Sequence, residues 1–317
     1  MKILTLTMNP TIDINSQVKH VKPDKKLRCG QPHYEPGGGG LNVSRAIHEL
    51  GGTSEAMYLS GGANGKLLGQ LLEQEGITQQ QIPIQNLTRE NFHIRETSGN
   101  QQFRFAMPGP EVRKDEWEKC LQHIQNQNTK PEYIVASGSL PPGVPSDFYA
   151  RLAQIGKNHQ IQIILDTTGE PLSMAAEKGV FLIKPNMREI KDLIGKDVEN
   201  EIELKSVAGD ILKQGNSEVI VISLGAGGAF VVTPEKCEHL RSPTVPIKSK
   251  VGAGDSMIAG IVLALTRGKK LIDAVKYGVA AGAAAVMTPG TELCRRDDVE
   301  QIYRQINGNE KTEKSHE

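Results

Sequence analysis

The stretch Val251–Thr266, VGAGDSMIAGIVLALT, decides the architecture. From Met257 onward it is apolar on nearly every side, so it reads as a helix buried in the middle of a fold. Gly252, Ala253 and Gly254 stand where that helix begins. Glycines let backbone N–H groups converge at a first turn, where the macrodipole is positive, and this makes an anion site. Asp255 follows at once and has two readings, an N-cap or a general base for a hydroxyl attacking phosphorus. Outward from this stretch, short β-branched runs lie at Ile3–Thr7, Tyr133–Ala136, Ile161–Asp166, Phe181–Lys184 and Val219–Ser223. They alternate with helix-length segments at Leu41–Leu50, Lys66–Glu75, Asp147–Lys157 and Glu189–Ile194. That alternation predicts an α/β fold, a doubly wound, mainly parallel sheet with helices on both faces.

Composition narrows the function. The 317 residues carry 37 basic and 37 acidic side chains, so no global field favours nucleic acid or an anionic membrane. Cys29, Cys120, Cys237 and Cys294 form no C-x-x-C pair, which points away from a zinc site or disulfide framework. The opening MKILTLTMNP has its apolar run broken by Thr5 and Thr7 and reads as a first strand rather than a signal peptide. The apolar stretches Ala259–Leu265 and Val279–Met287 are too short to span a bilayer, and a cytoplasmic protein is expected.

Two regions break the βα rhythm, Ile14–Glu35 and Asn91–Met107. In the second, Ser98-Gly99-Asn100 offers a turn between two extended arms, His93–Thr97 and Gln102–Ala106. They read either as strands of a small inserted sheet or as two long surface hairpins. The expected organisation is one α/β domain over 1–309, with strands from 12–35 and 88–107 inserted. The polar run Asn307–Glu317 predicts a disordered tail over 310–317.

Familiar nucleotide and hydrolase motifs fail. Met8–Asp13 follows the first strand where a Rossmann fingerprint belongs. Gly61–Leu67 misses a Walker A loop because Ser60 replaces its first glycine and Leu67 its hydroxyl residue. There is no G-x-S-x-G elbow and no H-E-x-x-H pair.

Three further motifs carry chemistry. Gly37-Gly38-Gly39-Gly40-Leu41-Asn42 opens a helix; it is either a flexible loop or a shaped turn that brings backbone close to a hydroxylated ligand, with Asn42 able to donate and accept. Asn186 and Glu189 of Lys184–Glu189 lie three apart at a helix start beyond a strand's carboxyl end, as a cap or as holders of magnesium-bound water. Ser223–Gly228 (SLGAGG) ends another strand on the same edge.

In this order and spacing the motifs G-G-G-x-N, N-x-x-E and G-A-G-D resemble those of the ribokinase-like, or PfkB-type, carbohydrate kinases, over about residues 1–305. The resemblance implies a ribokinase-like fold whose small β-sheet is a lid over the sugar and, in many members, the interface of a homodimer. It implies Asp255 as catalytic base, with the N–H groups of Gly252, Ala253 and Gly254 as anion hole. Asp13, Gly38, Gly39 and Asn42 match sugar-binding positions. Asn186 and Glu189 match the magnesium-associated pair, and Ser223, Gly225 and Gly228 match the ATP site, to which Lys26, Lys184 and Ser249 are added. Relatives that act on fructose 1-phosphate or tagatose 6-phosphate carry lysine in the early glycine run, where this chain has Gly39. Lys26–Cys29, Thr88–Asn91, Arg104–Gly109 and Ser137–Gly143 look most similar to the 6-phosphofructokinase branch. Arg28, Arg89, Arg104 and Ser139 then suit a sugar that already carries a phosphate. The implied reaction is ATP- and Mg²⁺-dependent phosphorylation of fructose 6-phosphate at O1; the alternatives are a tagatose 6-phosphate or fructose 1-phosphate kinase, or a non-catalytic sensor. Lys248-Ser249-Lys250 departs from the family's hydroxyl-rich run before G-A-G-D.

Overall fold

Each residue of the first apolar run is buried, because helices cover it from both sides. The computed structural model describes residues 2–99, 101–198, 200–214 and 217–313. Its first third contains β1 (Ile3–Thr7), β2 (Thr11–Val18), β3 (His33–Gly37), α1 (Gly39–Glu49), β4 (Glu55–Gly61), α2 (Gly62–Gln74), β5 (Thr78–Ile84), β6 (Arg89–Glu96) and β7 (Gln101–Phe105). The middle contains α3 (Lys114–Asn126), β8 (Tyr133–Ser137), α4 (Phe148–His159), β9 (Gln162–Asp166), α5 (Gly169–Lys178), β10 (Leu182–Ile183), α6 (Met187–Ile194) and α7 (Glu201–Gln214). The rest contains β11 (Val219–Ser223), β12 (Ala229–Val232), β13 (Cys237–Leu240), α8 (Ala253–Thr266), α9 (Leu271–Ala285) and α10 (Arg296–Glu313).

The large sheet runs β13-β12-β11-β10-β9-β8-β1-β4-β5. From β11 to β5 every neighbour is parallel, while β12 and β13 are antiparallel additions at one edge. Strand alternation sorts its side chains into two cores. Ile3, Val135 and Ile164 pack under α1, α8, α9 and α10, and Leu4, Ile134, Ile163 and Leu165 pack under α3 to α7. The expected doubly wound sheet is therefore present. Strands β4, β5, β12 and β13 lie outside the runs named from sequence, and β10 is shorter than Phe181–Lys184. Helix α8 packs so closely on α9 that a Cβ at Gly260 would lie 2.9 Å from Gly278 Cα.

The two irregular regions form one four-stranded sheet, ordered β3-β2-β6-β7, rather than separate hairpins. Strand β2 pairs with β6 in parallel, joining segments far apart in sequence, and the other pairs are antiparallel. Residues 19–32 between β2 and β3 hold no strand, and Asn100 of the expected β6–β7 turn lies outside the described residues. One face of this sheet is polar, with Asp13, Asn15, Gln17, Asn91 and His93. The other puts Ile12 and Ile14 into a third core with Tyr58, Leu68 and Leu72. Helix α10 extends to Glu313, into the segment expected to form the tail, and 314–317 lie outside the described residues.

Candidate active site

The carboxyl ends of the parallel strands converge on one edge, where ligands bind in open α/β sheets. Ser137 closes β8, Asp166 closes β9, Lys184 follows β10 and Ser223 closes β11. Helix α8 starts beside them. Its N-cap is Gly252, at φ 74°, so Asp255 sits in the first turn and is not the cap. The amides of Ala253, Gly254 and Asp255 have no carbonyl one turn earlier inside the helix to bond, which leaves them for an anion.

Asp255 is half-buried. Its Oδ2 accepts from Asn42 Nδ2 at 2.9 Å. Desolvation, and then the charge of Asp166, push its carboxyl up to about 6, against the hydrogen bonds of Asn42 and Ser137 and the charge of Lys184. Lys184 is only 6% exposed and pairs with Asp166 Oδ1 at 3.2 Å. Burial alone would lower its pKa, but Asp166, Glu189 and Asp255 outweigh that and raise it, so it is a fixed cation.

The early glycines are fitted, not floppy. Gly38 is the N-cap of α1 at φ 116°, and a Cβ there would lie 2.8 Å from Thr7 Cγ2. A Cβ on Gly39 would collide with Ser137 Oγ, and one on Gly40 would meet Leu6 O at 2.6 Å. Glycine at these positions is thus required for α1 to enter between β1 and β8. The late glycines differ: Gly225, at φ 58°, has open space around it, whereas a Cβ on Gly228 would strike Leu240 O.

Asn186 and Glu189 form a reciprocal capping box. Asn186 Oδ1 accepts from the amides of Arg188 (2.9 Å) and Glu189 (3.0 Å), and Glu189 Oε2 accepts from Asn186 N at 2.9 Å. Both lone pairs of the Asn186 oxygen are used, so only its NH₂ remains for a ligand. Burial, as the largest cause, and Asp166 raise the Glu189 carboxyl's pKa against its hydrogen bonds and Lys184.

On the small sheet, Asp13 is buried, accepting from Asn91 Nδ2 at 3.1 Å, with His93 Nε2 at 3.6 Å. Arg89 donates to Met107 O (2.9 Å) and Asn9 O (3.0 Å), and Asn9 donates to Ser139 at 3.1 Å. The Arg89 Nε is buried without a partner, and desolvation lowers the guanidinium's pKa despite Asp13 nearby. Ser249 is buried, donating to Gly290 O at 2.6 Å and accepting from Val251 N. Lys26, Arg28 and Arg104 are exposed, with no hydrogen bond or ion pair to this cluster among the described residues. Sequence reasoning missed Ser137, Asp166, Asn91 and His93. Their signal was a polar residue ending an apolar strand, or alternating along β6.

Residues 6–298 match the model of the pfkB family carbohydrate kinases. The chain belongs to that family. It is 44% identical over 302 residues to the ATP-dependent 6-phosphofructokinase isozyme 2 of Mycobacterium tuberculosis, covering 95% of this chain and 89% of that protein. A crystal structure of phosphofructokinase-2 from Escherichia coli in complex with potassium superposes with a TM-score of 0.93 at 37% identity, covering 96% of this chain and 99% of the other. Another of the same enzyme, in complex with fructose-6-phosphate, gives 0.89 at 36% identity, with 96% and 99% covered. As a pfkB-family kinase the chain moves a phosphoryl group onto a sugar hydroxyl. Among the described residues no helix is long and apolar enough to cross a membrane.

Proposed function

We propose that this kinase transfers the γ-phosphoryl group of ATP to O1 of fructose 6-phosphate, giving fructose 1,6-bisphosphate and ADP. The observation that carries this reading is the placement of Asp255 in the first turn of α8, at the helix's positive end and in contact with Asn42, where burial pushes its carboxyl up to about 6. A base works best when its pKa lies near the working pH. The O1 proton passes to Asp255 as the bond from O1 to the γ-phosphorus forms and that from phosphorus to the ADP oxygen breaks. The free amides of Ala253, Gly254 and Asp255 stabilise charge on the equatorial oxygens. Asp255 then returns its proton to solvent.

The choice of a phosphorylated sugar rests on Arg89, a half-buried guanidinium beside the Asn9–Ser139 pair. Each of its NH₂ groups has a second N–H beyond its bond to Met107 O or Asn9 O, and a phosphate oxygen can accept it. Asp13 and Asn42 face the sugar hydroxyls in this reading, and Ser223, Gly225 and Ser249 border ATP. Magnesium fits the donor set: Asp166 and Glu189 are close enough for their charges to interact, and each has one oxygen outside its recorded bond. No cluster of three metal-binding side chains exists among the described residues, which suits an ion held largely by phosphates and water. When bound, it neutralises phosphate charge. The small sheet serves as lid, and its exposed Tyr34 and Phe105, with Met107 just beyond β7, offer the apolar surface for pairing with a second copy.

The test is a substrate panel with ATP and Mg²⁺. The highest kcat/KM is expected for fructose 6-phosphate, above tagatose 6-phosphate, fructose 1-phosphate and free fructose. Arg89→Ala should cost about 10- to 100-fold in kcat/KM, the worth of one or two charge-assisted hydrogen bonds. Preference for fructose 1-phosphate, or binding without transfer, overturns the proposal.

A further inference from the structure

Two first turns meet at the proposed base: Asn42 opens α1 and Asp255 opens α8, and their side chains touch at 2.9 Å. The meeting is imposed by packing. Gly38, Gly39 and Gly40 seat α1 against Thr7, Ser137 and Leu6, and Val43, Ala46 and Ile47 share a core with Ile258, Ile261 and Val262 of α8. Neither helix can slide without disturbing that core. The helix backbones are therefore held so that Asn42 Nδ2 meets Asp255 Oδ2 with no ligand to bring them together.

We infer that Asn42 is the positioning residue of the base, holding Oδ2 of Asp255 so that Oδ1 is the oxygen turned to the attacking hydroxyl. This rests on Asp255 being the base. An amide suits the task because it donates to the ionised carboxylate without competing for the proton that the reaction delivers. Lys184 is drawn instead to Asp166.

The other groups facing Asp255 do not make Asn42 redundant. Asp166, at the end of β9, repels its charge; Lys184, beyond β10, and the Ser137 hydroxyl, ending β8, favour it. Glu189 of α6 acts on Lys184. The part of α9 that packs against Ala253 and Met257, Gly278–Ala285, has no ionisable side chain. Among the influences that keep the carboxyl ionised, the Asn42 hydrogen bond comes first, ahead of Lys184 and Ser137.

The experiment combines two readouts on wild type, Asn42→Ala and Asn42→Gln: carboxyl ¹³C NMR titration of Asp255 in the ligand-free enzyme, assigned with Asp255→Asn, and kcat and KM across pH. In Asn42→Ala the Asp255 titration should move to higher pH and the acid limb of kcat should follow it. The loss should be about three- to tenfold near pH 6 and within about threefold near pH 9, the direction that removal of a donor to the charged form gives. Asn42→Gln, which keeps an NH₂ donor, should recover part of the loss. If the Asp255 titration is unmoved, or kcat falls equally at every pH while KM rises, Asn42 is only a sugar contact and the inference is overturned. A wild type that ignores fructose 6-phosphate would sink the substrate reading while leaving the titration decisive here.

Discussion

At the scale of single residues, Asp255 works against the fold. Its carboxyl titrates at about 6 in the native protein, above the ordinary 3.8, so the folded state binds the proton more tightly than the unfolded one. Above pH 6 the ionised group weakens the fold, and that penalty fades as pH falls through 6 towards the unfolded value. Asp255→Asn should therefore lower kcat by about 10²–10⁴ and yet stabilise the protein at pH 8 by about 1–3 kcal/mol. Urea unfolding at pH 8 and pH 4 checks this, with the gap closing at the lower pH; a less stable variant at pH 8 would show that the carboxylate is needed as a structural ion. Asp255 and Asn42 were legible in sequence because glycine runs with a geometric purpose flank them. Asp166 and Ser137 were not, since each is the last residue of a strand and a strand's end looks the same whether it meets solvent or a site.

At the scale of elements, α8 and α9 depend on two glycines facing each other. A methyl on Gly278 would approach Met257 O to 2.6 Å and press on Ile261. Alanine is the better helix former by about 1 kcal/mol, but overpacking here costs more. Gly278→Ala should lower stability by a net of about 1–2 kcal/mol, read as a lower urea midpoint with unchanged slope; an unchanged midpoint would show that the helices can part freely. The apolar helix of Val251–Thr266 was legible because it is buried all round. Strand β5, TQQQIPI, was not: an edge strand has its glutamines half in water, and there Tyr58 and Ser60 bond Gln79 and Gln81. The small sheet was half-legible. Alternation marked its strands, but the parallel pairing of β2 with β6 leaves no local trace in sequence.

At the scale of the whole molecule, the small sheet is tied to the large domain near the start of α8. Thr291 Oγ1 donates to Glu35 Oε2, and Asn15 Nδ2 donates to the same carboxylate oxygen at 2.6 Å. Next to Thr291, Gly290 O accepts from Ser249, which itself holds the amide of Val251, the residue before Gly252. The polar face of the sheet and the 289–292 loop enclose a cleft of about 770 Å³. Thr291→Val, which keeps shape and removes the hydroxyl, should raise the sugar KM about 3- to 10-fold and increase ATP hydrolysis without acceptor, as a lid that shuts poorly would. Kinetics identical to wild type would mean that the tie is incidental. Because β1 lies inside the sheet and α8, α9 and α10 cover one face of it, order of synthesis matters. A ribosome that has released residues 1–250 has made every strand among the described residues, but most of the cover for that face is still unmade. The nascent chain must carry Ile3, Val135 and Ile164 with only α1 over that face until about the last fifth emerges. Truncations ending before α8 should therefore be clients of chaperones rather than slow enzymes.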